Sequence, residues 1–201
     1  MAIKSRRQRE IAQRHNLIVS TARQLAEQEG WQTVTTRKLA DSIEYSQPVL
    51  YSHFKNKDEI IRAVAIQGFT ELAELQRRTR ESADTPEEAI HLLFHAYGRF
   101  AAENPRLYEA MFVHPTNLLF AAEDTPEELH GAFQEFHSAI AAVAHGRDAE
   151  VLTEITWASL HGLATLSATH RLRPEQSEAR LSMLIEGLLH LKEGKASTDH
   201  P

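Results

Sequence analysis

Between residues 35 and 57 the chain concentrates side chains that can recognise a polyanion. Gln47 carries an amide able to both donate to and accept from an adenine edge, and Val49 presents an apolar surface that fits a thymine methyl. Arg37 offers a planar fork that can grip guanine or a phosphate. Thr36, Tyr51, His53 and Lys57 supply donors suited to backbone phosphates, contacts that set register rather than read sequence. Leu50 and Phe54, four residues apart, fall on one face and would anchor the segment inward. Any one of these residues is ordinary on a polar surface. Their number and spacing across two short helices is what points to double-stranded DNA.

A second set lies further along. Trp157 and His161 are four apart and therefore share a helix face. Two readings stand side by side: they line a ligand pocket with His161 as the orienting polar group, or Trp157 is core and His161 its satisfied neighbour. Phe94, Tyr97, Phe100, Tyr108, Met111, Phe112, Phe120, Phe133 and Phe136 could build a mostly apolar pocket. A packed core uses the same residue types. Of the 12 histidines, His91 and His95 have the i, i+4 spacing of a helical metal pair, but no third ligand is fixed by sequence and no metal is expected. His130 and His137 fare no better. With no cysteine there are no disulfides, thiolate metal sites or cysteine nucleophiles. Neither a phosphate-binding glycine loop nor an HExxH motif occurs, so neither an enzyme nor a cofactor is expected.

Charge is divided unevenly. The first 67 residues carry 11 Lys/Arg against 7 Asp/Glu, and the remainder 11 against 21, within a net charge of −6. A basic head can attract phosphate while an acidic body stays clear of it. No apolar run approaches the roughly 18 residues needed to span a bilayer. The basic N-terminus leads into a mixed helix rather than an apolar leader. The expected location is the cytoplasm, at the nucleoid when bound to DNA, with no membrane partner.

The elements that must position these groups are helical throughout. Ile11, His15, Ile18, Ala22, Leu25 and Ala26 recur at helical spacing, and Gly30 supplies a stop. Thr35 can cap a short helix to Ile43, and Ser46 a second one with Pro48 in its first turn. The stretch Glu44-Tyr45-Ser46 between them makes the pair a helix-turn-helix. Asn56 caps a helix running towards Arg80, which alone joins head to body in this reading and is the expected lever. Thr85-Pro86-Glu87-Glu88 and Thr125-Pro126-Glu127-Glu128 each combine a Thr cap, an early Pro and acidic residues in the first turn. Asn104-Pro105 starts a shorter helix, and two long ones follow, over 148–170 and 174–192. The fold class is all-α with about nine helices. The expected organisation is a DNA-binding domain over 1–58, a connecting helix over 59–80, an effector-binding and dimerisation domain over 81–194, and a disordered tail over 195–201.

The block Thr35-Thr36-Arg37-Lys38-Leu39-Ala40, followed by Gln47-Pro48-x-Leu50-Tyr51-x-His53-x-Lys55-Asn56-Lys57, resembles the DNA-binding domain of the TetR family of bacterial regulators. The resemblance covers about the first quarter of the chain. It implies that Arg37 and Gln47 read bases, that Pro48 and Val49 make apolar contacts, and that Thr36, Tyr51, His53 and Lys57 hold phosphates. Glu44 replaces the glycine usual in the turn, so a different turn geometry is expected. Trp157-Ala158-Ser159-Leu160-His161-Gly162 resembles the W-x-x-x-H-G signature of some C-terminal domains in the family. From this follows an effector pocket drawn from Phe94, Tyr97, Tyr108, Met111, Phe112, Phe133, Trp157 and His161. The last two helices carry wide apolar stripes, and the resemblance implies a four-helix dimer interface through Leu160, Gly162, Leu181, Leu184, Ile185 and Leu188. The function implied is a ligand-responsive regulator, a repressor by family default, binding an inverted-repeat operator as a homodimer and released by a small molecule. The alternatives are a ligand-independent structural DNA-binding protein and an enzyme carrying a helix-turn-helix.

Overall fold

The computed structural model describes residues 2–115, 118 and 125–190, with side chains from Arg6 onward. Phe120, the last two residues of the expected final helix and the 195–201 tail lie outside the described residues. Nine α-helices make up the described chain: α1 Ala2–Glu29, α2 Thr36–Ser42, α3 Gln47–Tyr51, α4 Lys57–Glu81, α5 Pro86–Glu103, α6 Pro105–Phe112, α7 Glu127–Ala142, α8 Ala149–Ala168 and α9 Ser177–His190. Among the described residues there is no strand. A 3₁₀ turn over Pro174–Gln176 precedes α9, so the last helix starts three residues later than the proline suggests.

The chain forms two compact units, 1–71 with 104–130, and 72–103 with 131–201. The backbone therefore passes between them three times, near residues 71, 103 and 130. This corrects the expectation that α4 alone joins head to body. The cause is α6, which the sequence order places in the body but which packs in the first unit. Two contacts seat it there. A Cβ built on Gly68 of α4 would lie 2.6 Å from the Met111 sulfur and 2.8 Å from Leu107 Cδ1, so only glycine permits this approach. The Glu27 carboxylate of α1 accepts from the backbone N–H groups of Arg106 (3.3 Å) and Leu107 (2.9 Å). Asn104, at the N-cap of α6, makes no cap bond of its own. Its side chain instead accepts from Arg23 at 2.9 Å.

In the first unit the core is built from Ile18, Ala22 and Ala26 of α1, Leu39, Leu50, and Ile60, Val64 and Ala65 of α4. Ile11, expected on the buried stripe, is 46% exposed. The helical period continues to the N-terminus of α1, but the elements it packs against do not. In the second unit Ile90, Leu93, Phe94 and Tyr97 of α5 are fully buried, and α5 packs on both α8 and α9. Arg147 closes the end of α7 by donating to the carbonyls of Val143 (2.6 Å) and Ala144 (2.6 Å), and reaches the Leu188 carbonyl of α9 at 2.9 Å.

Candidate nucleic-acid interface

The recognition surface is assembled from three local devices. Thr35 caps α2, its hydroxyl accepting from the Lys38 N–H at 3.1 Å. α2 then ends in a Schellman turn: the Tyr45 N–H bonds to the Ala40 carbonyl and the Glu44 N–H to that of Asp41. Glu44 takes the left-handed position of that turn, φ 57°, where glycine is the residue without a steric penalty. The turn is thus kept in the left-handed form, with strain in place of glycine. Ser46 occupies the N-cap of α3 but its hydroxyl makes no cap bond; Pro in the first turn removes one of the donors that would need it.

These devices leave α3 with one face in and one face out. Leu50 is fully buried and Phe54 nearly so, with the His15 ring of α1 tilted against the Phe54 ring at 4.7 Å. Gln47 and Pro48 are exposed, Val49 is half-buried and Tyr51 is 49% exposed. The Thr36 hydroxyl lies 3.3 Å from the Tyr51 hydroxyl, so α2 and α3 present their phosphate-type donors side by side. Arg37 stands on the exposed face of α2, within 4.0 Å of Asp41. His53 is half-buried; desolvation first, then the nearby His15 and Arg14, holds its imidazole below the ordinary range. Lys57 opens α4 and its ammonium donates to the Trp31 carbonyl, which commits one of its three protons inside the unit.

A helix-turn-helix on a supporting third helix, with amide, guanidinium and phenol outward, is the geometry of a duplex reader. The family comparison agrees over both parts of the chain. Residues 18–64 match the model of the bacterial regulatory proteins, tetR family, and residues 90–188 that of the tetracyclin repressor-like C-terminal domain. The chain belongs to the TetR family.

The relatives it matches include HTH-type transcriptional regulators and a nucleoid occlusion factor. An uncharacterized HTH-type regulator of Bacillus subtilis, YobS, is 34% identical over 94 residues, 47% of this chain and 49% of that one. This chain therefore aligns with about half of YobS. The nucleoid occlusion factor SlmA of Vibrio vulnificus is 30% identical over 137 residues, 67% of each chain. Among solved structures, a protein of unknown function from Rhodococcus sp. RHA1 superposes with a TM-score of 0.73 at 22% identity, over 87% of this chain and 92% of that one. The regulator FadR of Bacillus subtilis, solved with stearoyl-CoA, superposes with a TM-score of 0.64 at 14% identity, over 85% and 97%. Those likenesses establish the TetR fold, and the family establishes a DNA-binding transcription regulator.

The expected pocket residues divide between the two units of this TetR-family chain. Tyr108, Met111 and Phe112 belong to α6 in the first unit, where Phe112 meets Phe69 edge-on at 5.2 Å and Tyr108 at 4.7 Å. Phe94, Tyr97, Phe133, Trp157 and His161 are in the second unit. There Phe94 and Tyr97 pack on Phe136 at 6.3 and 6.4 Å, and Phe133 stacks on His137. His137 in turn lies 3.1 Å from the Thr153 hydroxyl. Trp157 and His161 are both half-buried, their rings 6.2 Å apart, and burial pushes the His161 imidazole below its ordinary range. A polar member that periodicity did not single out is Gln76 of α4, 3% exposed, with an amide oxygen that has no hydrogen-bond partner among the described residues.

The expected interface residues also divide. Leu160, Ile185 and Leu188 are buried by the subunit's own helices, while Gly162, Leu181 and Leu184 are half-buried. The apolar side chains that α8 and α9 expose are instead Val151 (50%), Ile155 (59%), Leu166 (39%) and Met183 (73%). Among the described residues no helix is long and apolar enough to cross a membrane.

Proposed function

We propose that this chain is a ligand-responsive repressor that binds an inverted-repeat operator as a homodimer and leaves it when a small molecule occupies the second unit. The observation that carries the DNA part is α3: Leu50 and Phe54 anchor it inward, so Gln47, Pro48 and Tyr51 have no role in the unit's own core and stand free for a major groove. Gln47 and Arg37 read bases, Pro48 and Val49 make apolar contacts, and Thr36, Tyr51, His53 and the remaining donors of Lys57 hold phosphates.

For the dimer, α8 carries Val151, Ile155, Ala158, Gly162 and Leu166 at helical spacing, and α9 carries Ala179, Met183 and Gly187. Each helical glycine costs about 1 kcal/mol relative to alanine. Among the described residues, nothing beyond the glycine's own stretch of helix lies within 4 Å of a Cβ built on Gly162 or Gly187. The subunit's own packing does not demand them, and a partner helix approaching this face would. Two recognition helices on one dimer call for an inverted repeat.

For the effector, the second unit offers buried aromatics with a few polar groups: the unpartnered Gln76 oxygen, neutral His161, and the His137–Thr153 pair. That composition suits an elongated apolar molecule carrying a donor. Acyl thioesters are the first compounds to screen, since FadR was solved with stearoyl-CoA. The effector shifts the DNA-binding equilibrium only by its differential affinity, typically about 1–3 kcal/mol of coupling. One observation favours a second reading, a DNA-binding chromosome factor: the relative SlmA is named for nucleoid occlusion.

The deciding experiment is selection of bound sequences from a random duplex pool, at near-physiological salt, by wild type and by Gln47→Ala/Tyr51→Ala. Enrichment of an inverted repeat by wild type alone, followed by its release by a screened compound, is the expected result. Absence of any enriched motif refutes the operator reading. An enriched motif indifferent to every compound leaves the chromosome-factor reading in its place.

A further inference from the structure

The first half of α1 has no packing role that explains its composition. Arg6, Arg7, Glu10, Ile11 and Arg14 line an open groove of about 810 Å³ whose other wall is Ser52 and His53, the two residues that follow α3. A groove of that volume fits a run of polymer backbone better than a single ion. Three guanidiniums face it against one carboxylate. Arg6 is paired with Glu10 at 3.0 Å, both exposed, a contact worth little in water. Arg7 and Arg14 have no ion pair among the described residues. Ile11, 46% exposed, is the one apolar side chain in the lining, too little for a lipid surface, which takes an apolar stripe.

We propose that the N-terminal half of α1 is a second duplex contact, in which Arg6, Arg7 and Arg14 hold the phosphates that flank the groove read by α3. The inference rests on the DNA-binding reading and adds a site to it. Continuity supplies the argument: Ser52 is the C-terminal cap residue of α3, so the groove begins where the recognition helix ends. Phosphate contacts of this kind add affinity and no sequence preference. Glu10 opposes them, both by its charge and by occupying Arg6.

The test uses the full chain, a mixed-sequence duplex and the selected inverted repeat, with binding followed by fluorescence anisotropy over a salt series. Each phosphate neutralised contributes about 0.9 to the slope of log affinity against log salt, so Arg6→Gln/Arg7→Gln/Arg14→Gln is expected to lower the slope by about 2.7 per bound subunit, and by about twice that when the homodimer occupies the repeat. Base preference on the selected repeat stays unchanged, and hydroxyl-radical protection is lost only from the flanking backbone. Glu10→Gln moves the other way, binding both duplexes more tightly. Thermal melts of each variant confirm that the fold is intact. An unchanged salt slope in a folded triple variant overturns the inference and leaves the proposed function standing. So does a change in base preference, which would place these arginines behind α3 rather than on phosphate. Wild type binding no duplex at all overturns the proposed function itself.

Discussion

Removing the carboxylate of Glu27 tests how α6 is held in the first unit. α6 is eight residues long, too short to persist alone, and its N-cap Asn104 contributes no cap bond. Glu27 supplies that cap from another helix, accepting from the Leu107 N–H at 2.9 Å and the Arg106 N–H at 3.3 Å. A hydrogen bond to a charged acceptor contributes about 1.5–3 kcal/mol when a buried donor depends on it, and the longer contact less. A carboxylate at a helix N-terminus adds about 0.3–1 kcal/mol. Glu27→Ala is therefore expected to cost about 2–3 kcal/mol. Glu27→Gln, which keeps one acceptor oxygen but no charge, should cost about half as much. For a chain of this length each kcal/mol moves the midpoint by about 2–4 °C, so the alanine variant should melt about 4–12 °C lower. Trp31 is the natural reporter, since its indole N–H donates to the Arg106 carbonyl at 2.8 Å. A Trp157→Phe background isolates its signal from the second unit. Amide exchange at Arg106 and Leu107 should accelerate in step. A loss below about 0.5 kcal/mol in Glu27→Ala would refute the capping argument. Equal damage from glutamine and alanine would show that a neutral acceptor recovers nothing and that the charge at the helix end carries the whole effect.

Three further perturbations probe other parts of the fold. Glu44→Gly relieves a left-handed residue at φ 57°, a strain of about 1–2 kcal/mol, against about 0.5–1 kcal/mol of extra chain entropy; a net gain of about 0.5–1 kcal/mol should appear in denaturant titrations. Arg147→Met removes the guanidinium from three backbone carbonyls, of which that of Ala144 keeps the Arg147 backbone N–H, and should cost about 2–3 kcal/mol, with exchange accelerating at the end of α7. Burial holds His161 below its ordinary range, so the unfolded chain binds its proton more readily than the folded one. Stability from this group is present above about pH 6.5 and is lost as the pH falls below that value. Urea midpoints compared at neutral and mildly acid pH should therefore drop in wild type and drop less in His161→Gln; equal drops would remove His161 as a contributor.

What could be read from the sequence was whatever acts over a few residues. The helix-turn-helix is of this kind: Thr35 caps Lys38 three residues on, and Leu50 and Phe54 anchor α3 at one-turn spacing. At Glu44 the sequence shows only a missing glycine; the position is sensitive because the turn it completes needs a left-handed residue. The long-range devices left no such trace. Glu27 caps a helix 80 residues away, and Arg147 reaches a carbonyl 41 residues away. Neither residue has a local reason to be singled out. Chain order alone places α6 in the body, and contacts distant in sequence, among them those of Gly68 and of the Glu27 carboxylate, draw it into the first unit.

Periodicity failed in a more instructive way on α8 and α9. A stripe wide enough to cover two faces says that a helix is buried on both sides but not by what. Leu160, Ile185 and Leu188 prove to be covered within the subunit, and Val151, Ile155, Leu166 and Met183 remain outside. The glycines break the tie. Gly68 is required by contacts inside its own unit, whereas Gly162 and Gly187 have open space where a side chain would go. Gly98 of α5 has the same open space, so the glycines bear on the proposed dimer only on α8 and α9, where exposed apolar side chains share their helices; there a cost of about 1 kcal/mol per helix is accounted for by the close approach of a partner helix. On that argument alanine at Gly162 or Gly187 should leave the monomer's secondary structure unchanged or strengthened while weakening self-association. A chain that dimerises as tightly with both substitutions would place the partner on another face.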